Sequence, residues 1–583
     1  MTSVARATSV GRAAALSGVL IGAGTGLGFV RDLVVAHLFG ASGATDAFLV
    51  AWTIPETVSP LLIEDAMALL MVPVVTRLLA RGDGARAFAA TALPRLAVAL
   101  SAGTLLLIAA APLIVDVLAP GLTERGPAVQ CVRLTAVTVV TFGVAGFMSA
   151  TLRAHHRFGP PAAIYLAYNA GILVLIAALA AHIGIIGVAV GVACGSLLMI
   201  AVQAPAFVRC LRTPPTAAPA APPTTAPAAP PAPRERDVAP RILLLAVAPV
   251  VVYTVTRQAQ VFVERFLASD LAAGSISHLN YAQKVAQVPM VLSLLIVTVT
   301  FPGLARAMAD GDTARVAHRI RQDLAIASAM VLAAAAFLIA FAPAVIKVLF
   351  EHGEFTAEDT RRTAGILRVY ALGLWGQSAV GLAARAFFAQ RRPTWRPAGF
   401  LAVGLAVTAA IGGAFAASAG TLALAAANAA GITVAAVLLL AGLRRGVAPV
   451  PLRPIAGDVL RLMLIAAAAC AAGLGTGALL GDGTPALVRL AAGGAGTAAA
   501  FAALTVLAGP GPVASWITAS WNTAGPSGAL GRRTRTDSGE TRDPAHRTDD
   551  TPGRDRAARR DPAGGEDPPA AAGADVPLGR PLP

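Results

Sequence analysis

The sequence predicts an all-α polytopic membrane protein of about fourteen transmembrane helices, arranged as two parallel-repeat six-helix lobes plus two C-terminal helices around a central cavity. Three observations predict it. The 583 residues are 56% hydrophobic and 13% charged, against about 25% charged in a soluble domain, and the mean hydropathy is +0.70. Apolar windows of bilayer-spanning length, roughly 20 residues, recur from the N-terminus to about residue 508. Finally, two blocks of motifs repeat at matching spacing in the two halves.

The windows run 13 to 30, 46 to 80, 92 to 118, 129 to 152, 161 to 181, 184 to 208, 242 to 268, 280 to 304, 324 to 350, 364 to 389, 398 to 417, 420 to 443, 457 to 480 and 485 to 508. The first follows Arg6 and Arg12 like a signal peptide, but it is too long and lacks a clear A-x-A cleavage signal, so it reads as a retained helix ending at Arg31 and Asp32. The second is broken near Pro55 and Pro60. Arginines crowd the loops after even-numbered windows, for example Arg77, Arg81 and Arg86, then Arg153 and Arg157, then Arg306, Arg315 and Arg319. The positive-inside rule then places both termini in the cytoplasm of a multi-pass plasma-membrane protein. The exception, EHGEFTAEDTRR from Glu351 to Arg362, balances its arginines with acids and can face outward.

Domains follow from composition. Residues 1–211 form the N-terminal lobe, 212–240 a Pro/Ala-rich cytoplasmic linker, 241–445 the C-terminal lobe, 446–520 the two extra helices, and 521–583 a disordered cytoplasmic tail rich in Gly, Pro, Asp and Arg. The linker joins two related halves. PVVTRLLARGDGAR, from Pro73 to Arg86, matches PGLARAMADGDTAR, from Pro302 to Arg315, in its Pro, Arg, Gly, Asp and final Arg. Arg31, Gly40 and Asp46 match Arg265, Gly274 and Asn280 at equal spacing. An even number of helices separates the copies, so both halves enter the membrane in the same sense, with a substrate site expected between them.

Net charge is +15, but the arginines form no single basic, aromatic-interleaved face, which argues against nucleic-acid binding. The chain's two lysines, Lys284 and Lys347, follow Gln and Ile, so no Walker A loop exists and ATP hydrolysis is excluded. No H-E-x-x-H, C-x-x-C or G-x-S-x-G motif occurs, and the four cysteines are scattered, so an enzyme, a metal site or a cofactor has no support.

The stretches RDLVVAHLFGASGATDAFLVAWTIP, ERFLASDLAAGSISHLNYAQKV, LFEHGEFTAEDT and ARAFFAQRRPTWRP, in that order, resemble the MurJ/MviN family of lipid II flippases, within the superfamily that also holds multidrug/toxin extruders and polysaccharide flippases. The resemblance implies a twelve-helix core plus two added helices. It also implies export of an undecaprenyl-pyrophosphate-linked peptidoglycan precursor by alternating access, through a cavity whose cations receive the pyrophosphate. Arg31 matches one cavity arginine of the family, and Lys284 stands where the family usually has another. Two expected arginines are replaced by Thr25 and Ser59. The family's acid is kept as Glu64, and Glu56 and Asp65 are extra acids.

A charge at mid-membrane costs about 2.5–3.5 kcal/mol on insertion scales, so such residues face a wet cavity or a partner. The candidates for the cavity are therefore Arg31, Asp32, Asp46, Glu64, Arg257, Arg265 and Lys284. For each there is a plainer reading: Arg31 and Asp32 as an interfacial pair at a helix end, Asp46 as an N-cap in ASGATDAF, and Glu64 as one of two acids facing a polar neighbour. Arg257 enters by helical spacing, about two turns before Arg265. The glycines of GVLIGAGTGLG allow either close helix packing or bending.

The expected partners are the lipid-linked precursor, membrane lipids and cytoplasmic proteins recruited by the tail, with export driven by the membrane potential or a coupled ion. The extra acids keep open export of another lipid-linked glycan or a small cationic compound. A non-transporting membrane scaffold stays open through the tail.

Overall fold

The computed structural model describes residues 2–64, 66–80, 85–212, 240–390, 394–480 and 484–524. The Pro/Ala linker, Asp65 and the tail beyond Ala524 lie outside the described residues. The described residues up to Trp521 make one compact unit; of residues 522–583 only those completing the last helix are described.

The first half comprises α1 (Thr2–Phe39), α2 (Gly43–Ser59), a π turn (Pro60–Glu64), α3 (Ala66–Ala80), α4 (Ala85–Ala109), α5 (Ala111–Leu118), α6 (Arg125–Thr135), α7 (Val137–Ala154), α8 (Gly159–Ala162), α9 (Ile164–Ile183) and α10 (Ile185–Arg212). The second comprises α11 (Pro240–Ser269), α12 (Ser275–Ala309), α13 (Thr313–Phe350), α14 (Ala357–Phe388) and α15 (Arg396–Gly446), followed by α16 (Leu452–Leu479), α17 (Ala486–Ala508) and α18 (Gly511–Ala524). No strand occurs among the described residues. Ten described segments are long and apolar enough to cross a membrane. Each expected window falls on helix, and α18 is a helix the windows did not anticipate.

Backbone geometry supports the duplication. Gly40, after α1, and Gly274, before α12, have φ of +60° and +90°, a region open to glycine because a Cβ crowds the following carbonyl. The chain turns between α9 and α10 at Gly184 (φ 59°, ψ −141°) and within α15 at Gly420 (φ 60°, ψ −141°). The same turn therefore sits at the corresponding place in each half.

Two helix boundaries differ from the sequence reading, and both shape the site. First, α1 does not end at Arg31 and Asp32 but continues to Phe39. The two charges bond each other at 2.7 Å and Arg31 donates to Asn169 at 3.2 Å, so neither needs the water of a helix terminus. Arg31 thus lies eight residues, about 12 Å, inside the helix. Second, α2 runs through Pro55 and changes to a π turn at Pro60. Pro60 has no N–H to give the carbonyl of Glu56 four residues back, and Gln258 of α11 supplies the missing donor at 2.5 Å.

Packing follows the small residues. On α1, Gly24 and Gly28 face α9, where a Cβ would stand 2.9 Å from the Leu166 nitrogen and 3.3 Å from Asn169, whereas Gly18, Gly22 and Gly26 have open space. Close packing is therefore the role of two of these glycines, one turn apart. A similar repair to that at Pro60 occurs in α13, where Pro343 frees the Ile339 carbonyl and Arg368 of α14 donates to it at 3.2 Å.

Candidate functional site

The two halves are tied together at one end. The carboxylate of Asp46, in the first turn of α2, accepts from the backbone N–H of Gly274 (2.7 Å) and of Ser277 (2.8 Å) and from the Ser277 hydroxyl (2.5 Å). Asp46 therefore caps the N-terminus of α12, where free N–H groups and the helix dipole favour an anion. Its own helix is capped by Ser42, which accepts from the Thr45 N–H. This corrects both sequence readings of Asp46: it lines no described cavity, and the helix it caps belongs to the other half. Beside it, the Glu354 N–H donates to the His37 carbonyl at 2.9 Å, and the Gly121 N–H to the Ser269 hydroxyl at 3.4 Å.

Below this seal lies a cavity of about 770 Å³. Trp52 is six residues, about 9 Å, along α2 from Asp46, and from there the cavity follows α2 through Glu56 and Ser59 to Glu64. The other walls include Gly24 to Asp32 of α1, Tyr165 and Asn169 of α9, Gln258 of α11, and Lys284 and Gln287 of α12. Both halves contribute, as a parallel repeat requires.

Arg31 is held from every side. Its Nε and Nη2 donate to Asp32 at 3.0 and 2.7 Å, its Nη1 donates to Asn169, and its guanidinium carbon lies 4.1 Å from the centre of the Trp52 ring. Asn169 is itself fixed by donating to the carbonyls of Gly24 and Tyr165. Across the cavity, Glu56 bonds Arg265 at 2.7 Å and lies 3.7 Å from the Lys284 ammonium. Arg265 also donates to the Thr53 hydroxyl. Further along, Tyr165 donates to Glu64 at 2.6 Å and shares a 2.8 Å hydrogen bond with Ser59. The serine that replaces an expected arginine thus belongs to a neutral hydroxyl link.

Of the sequence candidates, Arg31, Asp32, Glu64 and Lys284 line this cavity. Arg265 is buried behind Glu56 and lines a separate space of only 20 Å³. Arg257 is exposed and lines neither: eight residues amount to two turns plus about 80° of rotation, which carries its side chain off the Arg265 face. Sequence reasoning did not single out Trp52, Asn169 or Tyr165. An asparagine in the apolar run of α9 was the available signal, because buried amides need partners. Among the described residues no group of three or more His, Cys, Asp or Glu side chains is placed to hold a metal.

A family model described as lipid II flippase MurJ matches residues 35–482. The chain belongs to the MurJ family. It is 28% identical over 395 residues to the probable lipid II flippase MurJ of Rhizobium meliloti (strain 1021), covering 66% of this chain and 71% of that protein. To the lipid II flippase MurJ of Burkholderia cenocepacia it is 26% identical over 373 residues, covering 62% and 70%. The fold is similar to a solved structure of lipid II flippase MurJ in an inward closed conformation, with TM-score 0.68 at 19% identity over 84% of this chain and 98% of that one. An inward-facing multidrug resistance MATE transporter of the MOP superfamily shares it at TM-score 0.59 and 16% identity, over 72% and 94%. Membership in MurJ makes this a multi-pass membrane protein of a transporter family, and its fold is similar to those of the solved MurJ and MATE structures.

Proposed function

We propose that the chain moves lipid II, an undecaprenyl-pyrophosphate-linked peptidoglycan precursor, from the inner to the outer leaflet by alternating access. The observation that carries this reading is the cavity to which one half supplies Arg31 and the other Lys284, in a chain of the MurJ family. A phosphate about 4 Å from one such cation is attracted by about 4 kcal/mol at an effective dielectric of 20. That strength captures a headgroup and still releases it.

The seal at Asp46 closes one end of the cavity, and transport requires it to open while the other end closes. With both termini cytoplasmic, the sealed end faces outward and cargo enters from the inside. An inside-negative potential contributes about 2.3 kcal/mol per charge per 100 mV, so outward movement of an anionic pyrophosphate runs with the field. No covalent step is required of the chain, and the tail is the segment that could recruit cytoplasmic partners.

The test is rescue of a bacterium depleted of its own lipid II flippase. The wild-type chain should restore growth and Arg31→Ala should not. Failure of the wild-type chain, inserted and expressed, would sink the lipid II reading. The carboxylates of Asp32, Glu56 and Glu64 in the same cavity favour a second reading, a cationic cargo. Tight binding of a cationic dye that Glu64→Gln abolishes would support it instead.

A further inference from the structure

The cavity's cations are already occupied. Asp32 holds Arg31, and Glu56 holds Arg265 with one oxygen while the other lies 3.7 Å from Lys284. These two pairings differ in kind. Asp32 neighbours Arg31 on the same helix, whereas Glu56 is on α2 of the first half and both of its cations are on α11 and α12 of the second. Its backbone is tied across the same boundary, through the Glu56 carbonyl that Pro60 leaves free and Gln258 takes up. The Glu56 side chain is about one-fifth exposed and lines the cavity, so an incoming ligand can reach it.

We propose that Glu56 is a built-in stand-in for the cargo's phosphate, whose displacement by the diphosphate of the lipid-linked substrate couples cargo binding to separation of the two halves. The inference rests on the flippase reading above and adds the residue that links binding to motion. A carboxylate and a phosphate compete for the same N–H donors, and a diphosphate brings more charge and more acceptor oxygens to them. When the diphosphate takes Lys284, Glu56 loses one of its two cations, and the tie between α2 and the second half is weakened while cargo is present. After release, Glu56 returns to Lys284. A ligand shifts such an equilibrium only by its differential affinity for the two arrangements. The exchange supplies that difference.

The test uses the full chain in nanodiscs, with farnesyl diphosphate as probe and farnesol as the uncharged control. Glu56→Gln keeps a hydrogen-bond acceptor for Arg265 but removes the competing charge. Farnesyl diphosphate should bind it about tenfold more tightly than wild type, while farnesol binds neither. Spin labels across the two halves should show that Glu56→Gln without ligand adopts the distance distribution that wild type adopts on adding farnesyl diphosphate. Equal or weaker binding by Glu56→Gln would overturn the proposal, as would a ligand-independent distribution in wild type. Should Glu56→Gln fail to fold, Glu56→Asp keeps the charge with a shorter reach, and binding no tighter than wild type would count against the idea in the same way. If wild type binds no diphosphate at all, the flippase reading fails and this inference falls with it; normal wild-type binding unchanged by either variant sinks only the role of Glu56.

Discussion

Removing the Asp46 carboxylate is expected to unseal the closed end of the protein. Its three hydrogen bonds, at 2.7, 2.8 and 2.5 Å, all cross from α2 to the start of α12. Loss of an N-cap costs about 0.5–2 kcal/mol, and a hydrogen bond to a charged group contributes about 1.5–3 kcal/mol. Asp46→Ala strands two backbone N–H groups in the sealed state that water satisfies once the halves part. A bias of about 2 kcal/mol follows, which is about 30-fold in the equilibrium. A sealed state favoured ~99:1 would fall to about 3:1. The assay is a pulsed electron resonance distance between spin labels at Thr123→Cys and Ala272→Cys, both exposed and one in each half, after replacing the four native cysteines. A long-distance population of about a quarter is expected for Asp46→Ala. Asp46→Asn should fall between it and wild type, because one amide oxygen can still accept from Ser277. A distribution identical to wild type in Asp46→Ala, with growth rescue intact, would refute the assignment of Asp46 to the seal.

Three further outcomes follow from the geometry. Arg31→Lys should fail to rescue growth nearly as completely as Arg31→Ala, because an ammonium cannot bond Asp32 and Asn169 as a fork and stack on Trp52 together; full rescue at matched expression would mean that charge alone suffices. Gly420→Ala should lower the melting temperature, since a side chain at φ 60°, ψ −141° costs about 1–3 kcal/mol even where space is open, whereas Gly26→Ala, helical and equally unobstructed, should leave it unchanged or raise it. Ser59→Arg, which restores the cation the family resemblance led one to expect, should tighten farnesyl diphosphate binding about tenfold; unchanged calorimetric titrations would place position 59 off the cargo path.

Much of the fold was legible from composition and period. Each apolar window became helix because a backbone in lipid must satisfy its own hydrogen bonds. The duplicated glycines were legible as well, and Gly40 and Gly274 both occupy the left-handed region. The first helix was misjudged at its end. Charge reads as a membrane boundary, and only the mutual pairing of Arg31, Asp32 and Asn169 let α1 continue for two more turns. Arg257 was misplaced because helical spacing alone does not say which face a neighbouring helix covers.

Hydropathy and repeat spacing are local properties of the chain, and they sufficed to identify a helical, duplicated membrane protein with a few charges among apolar runs. The sequence also carried the family resemblance, which a MurJ family model matches over residues 35–482. Tertiary structure alone decided what each charge does. Asp46 caps a helix 231 residues away, Glu56 meets Arg265 at a separation of 209, and Arg31 meets Asn169 at 138. The first two depend on how two homologous bundles face each other and the third on how α1 packs on α9 within one bundle, and no helical period or motif spacing encodes either arrangement.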